Sequence, residues 1–308
     1  MKINKKIQAI SSQAGNSRQW LAEYLSNRAH LAAFMSDFHC DSACTRPGCK
    51  NQDLQVPVSL IDIVAAALHR DEPVSVAYQT HYSLGLLSNG REDWIRIVTL
   101  RLQKPCPFLE NDLCSIYLLR PLPCMLFPEY LVHEGTFEAN ARKDHFKDYL
   151  CFRRPLHLSP ERFQVIAQLR RMWERESLIS TFYLLNHGTC HLDFSNLVAE
   201  LLRETENLDG GESKGRLQAP RTVPHHVMER YFLERIARCQ PIAGVSEKIY
   251  LLDQEENQNE FFQFLQDDLL VKKLKANGDG RALVFRFLEG KLTAKRRSIS
   301  PPEYKFFG

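Results

Sequence analysis

The chain has 308 residues, 44% hydrophobic and 25% charged, with 40 Lys and Arg against 37 Asp and Glu for a net charge of +3. That composition excludes collagen, a long coiled coil and wholesale disorder, and the charge is too small to imply nucleic-acid binding. The length predicts one main body with at least one smaller unit. No apolar run reaches the roughly 18 residues that span a bilayer. The Lys-rich start from Met1 to Lys6 leads into Gln8, Ser11, Ser12 and Gln13 rather than the apolar core of a signal peptide. The expected setting is cytoplasmic, with neither a membrane nor a nucleic-acid partner.

Ser17 is placed to cap a helix carrying Trp20, Leu21, Tyr24, Leu25, Leu31, Ala32 and Met35, close to the spacing of one buried face, and this helix delivers the chain to His39 and Cys40. Ser59 with Asp62 three residues on is a capping-box variant, and Leu60, Ile63, Val64, Ala67 and Leu68 predict a helix over 60–70. The run WIRIVTLRL, Trp94 to Leu102, is rich in β-branched residues. It predicts a strand with Val98, Leu100 and Leu102 on one side and Thr99 and Arg101 on the other.

Asp112 is placed to cap a short helix, LCSIYLLR, that Pro121 must end. Tyr130–His133 and Thr136–Ala139 flank Glu134 and Gly135, which suits a two-residue hairpin. Ser159, Pro160 and Glu161 supply a cap, a first-position proline and a first-turn acid, so a long helix should run to the stop at Gly188. Asp193 or Ser195 then starts another, ending near Asn207.

Leu208 to Pro220, LDGGESKGRLQAP, has no apolar period and reads as a linker. The expected division is a body over 1–207, a linker over 208–222 and a small α+β unit over 223–308. That last unit offers a helix from about Pro224 to Cys239, the segment EKIYLL, a helix-like QNEFFQFLQDDLLVKKL, a turn at Asn277–Gly280 and the strand ALVFRFL. Lys295, Arg296 and Arg297 could meet an acidic partner, though the ordinary reading of such a run is a solvated, mobile terminus.

Seven of the nine cysteines, Cys40, Cys44, Cys49, Cys106, Cys114, Cys124 and Cys151, lie in one stretch of the chain. In a reducing compartment they are expected as thiols, not disulfides. Cys40, Cys44 and Cys49 enclose Thr45, Arg46, Pro47 and Gly48, residues that allow the reversals metal ligation requires. Cys106, Cys114 and Cys124 are framed by Pro105, Pro107, Pro121, Pro123 and Pro128, which stiffen the backbone around the thiols. Zinc and iron–sulfur centres take about four such ligands, so the seven thiols with His39 suffice for two sites, or for one with spare thiols. The rival readings are buried small hydrophobes, which predict scattered cysteines, and a catalytic Cys/His pair, for which no single nucleophile stands out.

Arg120, between Cys114 and Cys124, could bind a substrate carboxylate or simply neutralise thiolates, and the second is favoured; Tyr117 reads as packing. His187, Cys190 and His191 are either a small metal site or a helix-stop loop whose histidines meet the preceding carbonyls. His145, His225 and His226 lack metal spacing, and Cys239 reads as a buried thiol. Asp41, Glu110 and Glu129 are candidate proton acceptors near the ligands.

Cys40, Cys44 and Cys49, followed by VPVSLIDI (Val56 to Ile63) and then CPFLENDLCSIYLLRPLPCMLFP (Cys106 to Pro128), resemble the YkgJ-type cysteine-cluster family, also called CxxCxxCC, a zinc- or iron-chelating domain. The resemblance covers about residues 38–152. The family's first motif ends in two adjacent cysteines, whereas Cys49 is followed here by Lys50. The family includes FliB-type flagellin lysine methylases, so the resemblance implies an iron–sulfur cluster, with 4Fe-4S preferred over zinc. It also implies S-adenosylmethionine and a protein substrate such as flagellin. A zinc-binding structural or interaction module is the alternative. No Gly-rich strand-to-helix turn of the dinucleotide or methyltransferase sort is present in the sequence, nor the alternating strands and helices of a (β/α) barrel. The expected fold is α+β and α-rich, with helices, short strands and Pro-rich loops around a cysteine metal centre.

Overall fold

A computed structural model describes residues 16–36, 38, 43–52, 54–88, 95–193, 225–278, 281–288 and 291–298. Its backbone of strands grows around β3 (Ile95–Leu102), where alternation places Val98, Leu100 and Leu102 in the core and leaves Thr99 and Arg101 on the opposite side. Strand β2 (Tyr82–Ser88) pairs antiparallel along all of one edge of β3. The other edge is shared by β1 (Val56–Val58) at Leu100–Leu102 and β6 (Cys190–Asp193) at Ile95–Ile97. Beyond β6 come β7 (Arg281–Leu288), in parallel, and β8 (Lys291–Ser298), antiparallel at the sheet edge.

Ahead of β2 run α1 (Asn16–Ala33), α2 (Pro47–Lys50), α3 (Leu60–Arg70) and α4 (Val74–His81), with β1 between α2 and α3. The helix α3 has the predicted bounds and the full capping box: the Ser59 hydroxyl accepts from the Asp62 amide and the Asp62 carboxylate accepts from the Ser59 amide at 2.8 Å. Residues Leu60 to Ala67 are all buried, which makes α3 a central helix and not a half-exposed one. It packs on α8 (Pro160–Leu185), which starts at Ser159–Pro160 as predicted and stops at Asn186 in a left-handed conformation.

The C-terminal stretch contains α9 (His225–Ala237), α10 (Gln240–Leu251), α11 (Glu255–Gln266) and α12 (Asp268–Gly278) before β7 and β8. The linker, 208–222, and the helix expected to end near Asn207 lie outside the described residues, except that Asp193 itself ends a strand. The sheet crosses the boundary expected there. Strand β7 pairs with β6, α10 and α11 pack on α8, and one hydrophobic core runs from Leu21 through Leu100 and Ile179 to Phe285.

Several local expectations give way. Tyr130–His133 and Thr136–Ala139 are not a hairpin but lie in α6 (Glu129–His133) and α7 (Phe137–Ala141), turning at Gly135 with φ +70°. Four alternating residues suit a helical turn equally well, and α8 gives α6 a partner that buries Glu129 and Leu131. The helix expected over LCSIYLLR is broken because Asn111 and Asp112 both take positive φ, 50° and 59°. This pair closes a tight hairpin of β4 (Leu109–Glu110) and β5 (Leu113–Cys114), so Asp112 is a turn residue and only Tyr117–Leu119 winds into a 3-10 turn.

Asn16 and Ser17 already belong to α1, which ends at Ala33 and leaves Met35 left-handed and exposed. The helix-like QNEFFQFLQDDLLVKKL divides at Asp267, whose carboxylate accepts from the Leu269 and Leu270 amides and starts α12. Lys295, Arg296 and Arg297 belong to β8 and are not a mobile terminus. Among the described residues no helix is long and apolar enough to cross a membrane.

Candidate metal centre

His39, Cys40 and Asp41 lie outside the described residues. The other six clustered cysteines, Cys44, Cys49, Cys106, Cys114, Cys124 and Cys151, are all partly buried, and none is in a disulfide. Chain reversals bring the segments of Cys49 and Cys106 together. Arg46 is left-handed at φ 58° and Pro47 opens the single turn of α2, which carries Cys49. The chain leaving β3 is stitched to that turn twice: the Cys106 amide donates to the Cys49 carbonyl at 2.7 Å, and Lys104 Nζ donates to the Gly48 carbonyl at 2.6 Å. A Cβ at Gly48 would stand 3.3 Å from Tyr149 Cε1, so the ring would have to give by a few tenths of an ångström.

The ionisation of Cys49 and Cys106 is linked: the neighbouring Cys106, and then burial, raise the Cys49 thiol, while the neighbouring Cys49, opposed by burial, lowers Cys106. Cys114 sits on β5 opposite Leu109, and the Ser115 amide returns to the Phe108 carbonyl at 2.9 Å. Cys124 sits on α5 (Leu122–Leu126), a helix opened by Pro121 and Pro123. Burial pushes its thiol up to about 12, with Cys49 and Cys114 adding to the rise. Burial likewise raises Cys114, again with a contribution from Cys49.

Two cations face this group. Lys104 stabilises the thiolate forms of Cys49, Cys106 and Cys124, and Arg120 those of Cys49, Cys114 and Cys124. Arg120 is held by a bond from its Nε to the Tyr117 carbonyl at 2.9 Å and lies 3.9 Å over the Tyr117 ring. Its placement is that of a charge-neutralising group. Tyr117 is 60% exposed, so it supports Arg120 and does not pack in the core as expected.

Cys44 and Cys151 fall elsewhere, around Tyr149. Burial pushes that phenol up to about 12, with smaller contributions from Cys151, Cys49 and Cys44. Behind it lies an aromatic cluster of Phe127, Phe146 and Phe152. The first loop is also clamped to the β4–β5 hairpin, since Arg46 Nε donates to the Asp112 carbonyl at 3.1 Å and Lys50 pairs with the Asp112 carboxylate at 2.7 Å.

As they stand, no three His, Cys, Asp or Glu side chains among the described residues are arranged to hold a metal ion. The donor chemistry nevertheless fits zinc or iron: the neighbouring soft thiols are accompanied by cations that offset thiolate charge, and one thiol is already biased towards ionisation.

The second small constellation does not form. Adjacent positions on β6 alternate, so Cys190 enters the core while His191 is on the opposite face of the sheet. His187 meets the Thr189 carbonyl through Nδ1 at 2.9 Å, not the preceding helix carbonyls. Cys239 is buried at the start of α10, as expected. Of the candidate proton acceptors, Glu129 is buried in an ion pair with Arg162, and Glu110 lies 3.7 Å from Arg70. Sequence reasoning missed Lys104 and Tyr149; their signal was position alone, each two residues before a clustered cysteine.

These features define a cysteine-cluster domain mounted on an α-rich α+β scaffold. Residues 39–151 match the CxxCxxCC family model, described as "putative zinc- or iron-chelating domain". No curated protein and no solved structure matches the chain.

Proposed function

We propose that the chain is a metal-chelating protein that holds zinc or iron through the thiolates of its cysteine cluster. The observation that carries this reading is the cross-bonding of two cysteine segments, the Cys106 amide on the Cys49 carbonyl at 2.7 Å and Lys104 on the Gly48 carbonyl at 2.6 Å. Thiolate is the ligating form, and a cation beside it lowers the cost of its negative charge. The family description, zinc- or iron-chelating, agrees. A bound ion would supply a Lewis-acid or redox centre, according to the metal. The chain's own residues supply the donors, the counter-charge and the loop clamp at Asp112.

An iron–sulfur cluster is the preferred occupant and zinc the alternative. The finer activity, S-adenosylmethionine-dependent N-methylation of lysine in a protein such as flagellin, rests on the resemblance to FliB-type methylases, and a cytoplasmic setting rests on cysteines held outside disulfides. Anaerobic purification followed by metal analysis and by ultraviolet–visible and electron-paramagnetic spectra tests the metal. Stoichiometric iron with a broad visible absorption identifies a cluster, and zinc with a featureless spectrum identifies the alternative. Neither metal, even after reconstitution, overturns the proposal. Methyl-lysine on flagellin after incubation of the metal-loaded protein with S-adenosylmethionine tests the activity.

A further inference from the structure

The last two strands concentrate charge that the cysteine centre does not use. Strands β7 and β8 carry Arg281, Arg286, Lys291, Lys295, Arg296 and Arg297 and no acid, six cations in a chain whose whole net charge is +3. Strand β8 ends the sheet: it pairs antiparallel with β7 along its full length and, among the described residues, with no strand on its outer side. The opposite edge, β2, is packed by α9. Alternation sorts the side chains of β8, since Leu292 and Ala294 pack against the main core and Lys291, Thr293, Lys295 and Arg297 stand on the other face. Lys291, Lys295 and Arg297 are exposed. Arg286, opposite Thr293 in the register, joins that face from β7. The face already seats one carboxylate: Asp193 Oδ2, on β6, lies 3.0 Å from Arg286 Nε and 4.0 Å from Arg297 Nη1.

We infer that β8 is a docking edge for an acidic, extended segment of another protein, which adds to the sheet as a further strand and sets its carboxylates against Lys291, Lys295 and Arg297. An unpaired edge offers a row of amides and carbonyls that a polypeptide backbone continues. Acids at alternate positions of the added strand fall on the face that carries Lys295 and Arg297. A nucleic acid would satisfy the charge but not the ladder. A second copy of β8 would satisfy the ladder but set cation against cation, which destabilises a strand pair. The assignment is independent of the metal-chelating reading and stands or falls without it.

The test uses the full chain and a fluorescently labelled peptide of alternating glutamate and valine, with binding read by anisotropy. The acidic peptide should bind, and the same peptide with lysine for glutamate should not. Lys291→Glu combined with Lys295→Glu, at two exposed positions, should weaken the acidic peptide by about tenfold and leave the melting temperature unchanged. A peptide with proline in place of the valines keeps the charge but cannot continue the ladder, and it should lose binding. Hydrogen exchange on the unmutated chain needs no variant to fold, and the acidic peptide should slow exchange of the β8 amides. No binding of the acidic peptide, unchanged binding in the double variant, or equal binding of the proline peptide overturns the inference. Single-stranded DNA that binds more tightly and displaces the peptide assigns the edge to nucleic acid instead. Self-association of the unmutated chain that protects the β8 amides with no peptide present assigns it to a second copy, and either result overturns the inference.

Discussion

The guanidinium of Arg28, on α1, donates through Nη2 to the main-chain carbonyl of Arg120 at 2.9 Å, tying the scaffold to the loop beside the thiols. The same fork reaches Asp62 at 2.9 Å and both Glu176 oxygens at 3.2 Å, and all three side chains are almost wholly buried. Tyr24 donates to Glu176 at 2.8 Å, and Ser59, the cap of α3, also meets it. One cation thus joins α1, α3, α8 and the segment carrying Arg120.

Replacing Arg28 by Met should cost about 3–5 kcal/mol, because two carboxylates stay buried without their cation. Denaturant midpoints of the variant report this. The triple change of Arg28, Asp62 and Glu176 to apolar residues of similar volume should recover most of the loss. A single variant as stable as the wild type would contradict the network's role.

Arg162 does comparable work at the C-terminus of α1. It pairs with Glu129 and donates to the carbonyls of Leu31, Ala32 and Phe34, at 3.2, 3.0 and 2.8 Å, capping the helix just before the chain turns towards the first cysteines. Arg162→Ala should destabilise by about 3–5 kcal/mol, and Arg162→Lys should recover only part of this, since an ammonium cannot span that fork. Equal melting temperatures for Arg162→Lys and the wild type would argue against a geometric role.

His191 sets an acid limit. Burial first, and His187 second, lower its pKa to about 4. The unfolded chain takes up this proton near pH 6.5, so between that value and about 4 the unfolded state binds more protons. The contribution is therefore complete above pH 6.5 and is lost as the pH falls, by roughly 3 kcal/mol in all. In urea titrations at pH 7 and pH 5, His191→Gln should show a smaller drop than the wild type; identical drops would show that another group sets the limit.

Bound metal should stabilise the fold by mass action, by about 2.7 kcal/mol at a free concentration one hundred times the dissociation constant. Stripping with a chelator should lower the melting temperature of the wild type, and re-addition should restore it. Cys239→Ala should respond to the chelator as the wild type does, because Cys239 is buried at the start of α10, outside the stretch that holds the clustered cysteines.

Elements whose signals are local and mutually consistent were legible in the amino-acid order. The α3 capping box needs only Ser59 and Asp62 three residues apart, the long α8 needs Ser159 and Pro160, and β3 needs the alternation ending at Leu102. The cysteine cluster and its likeness to the CxxCxxCC model were legible for the same reason, since the spacing of Cys106, Cys114 and Cys124 is written in the chain itself. Tertiary structure decided the rest. Glu129–His133 became a helix because α8 buries one side of it, and Cys190 and His191 were separated because they joined the sheet as a strand. Which thiols neighbour one another was likewise decided by contacts between distant segments, the Cys49 carbonyl with the Cys106 amide and Lys104 with Gly48. Local spacing fixes a residue's periodicity, but burial energy and the need to satisfy every buried polar group select which periodic segments meet.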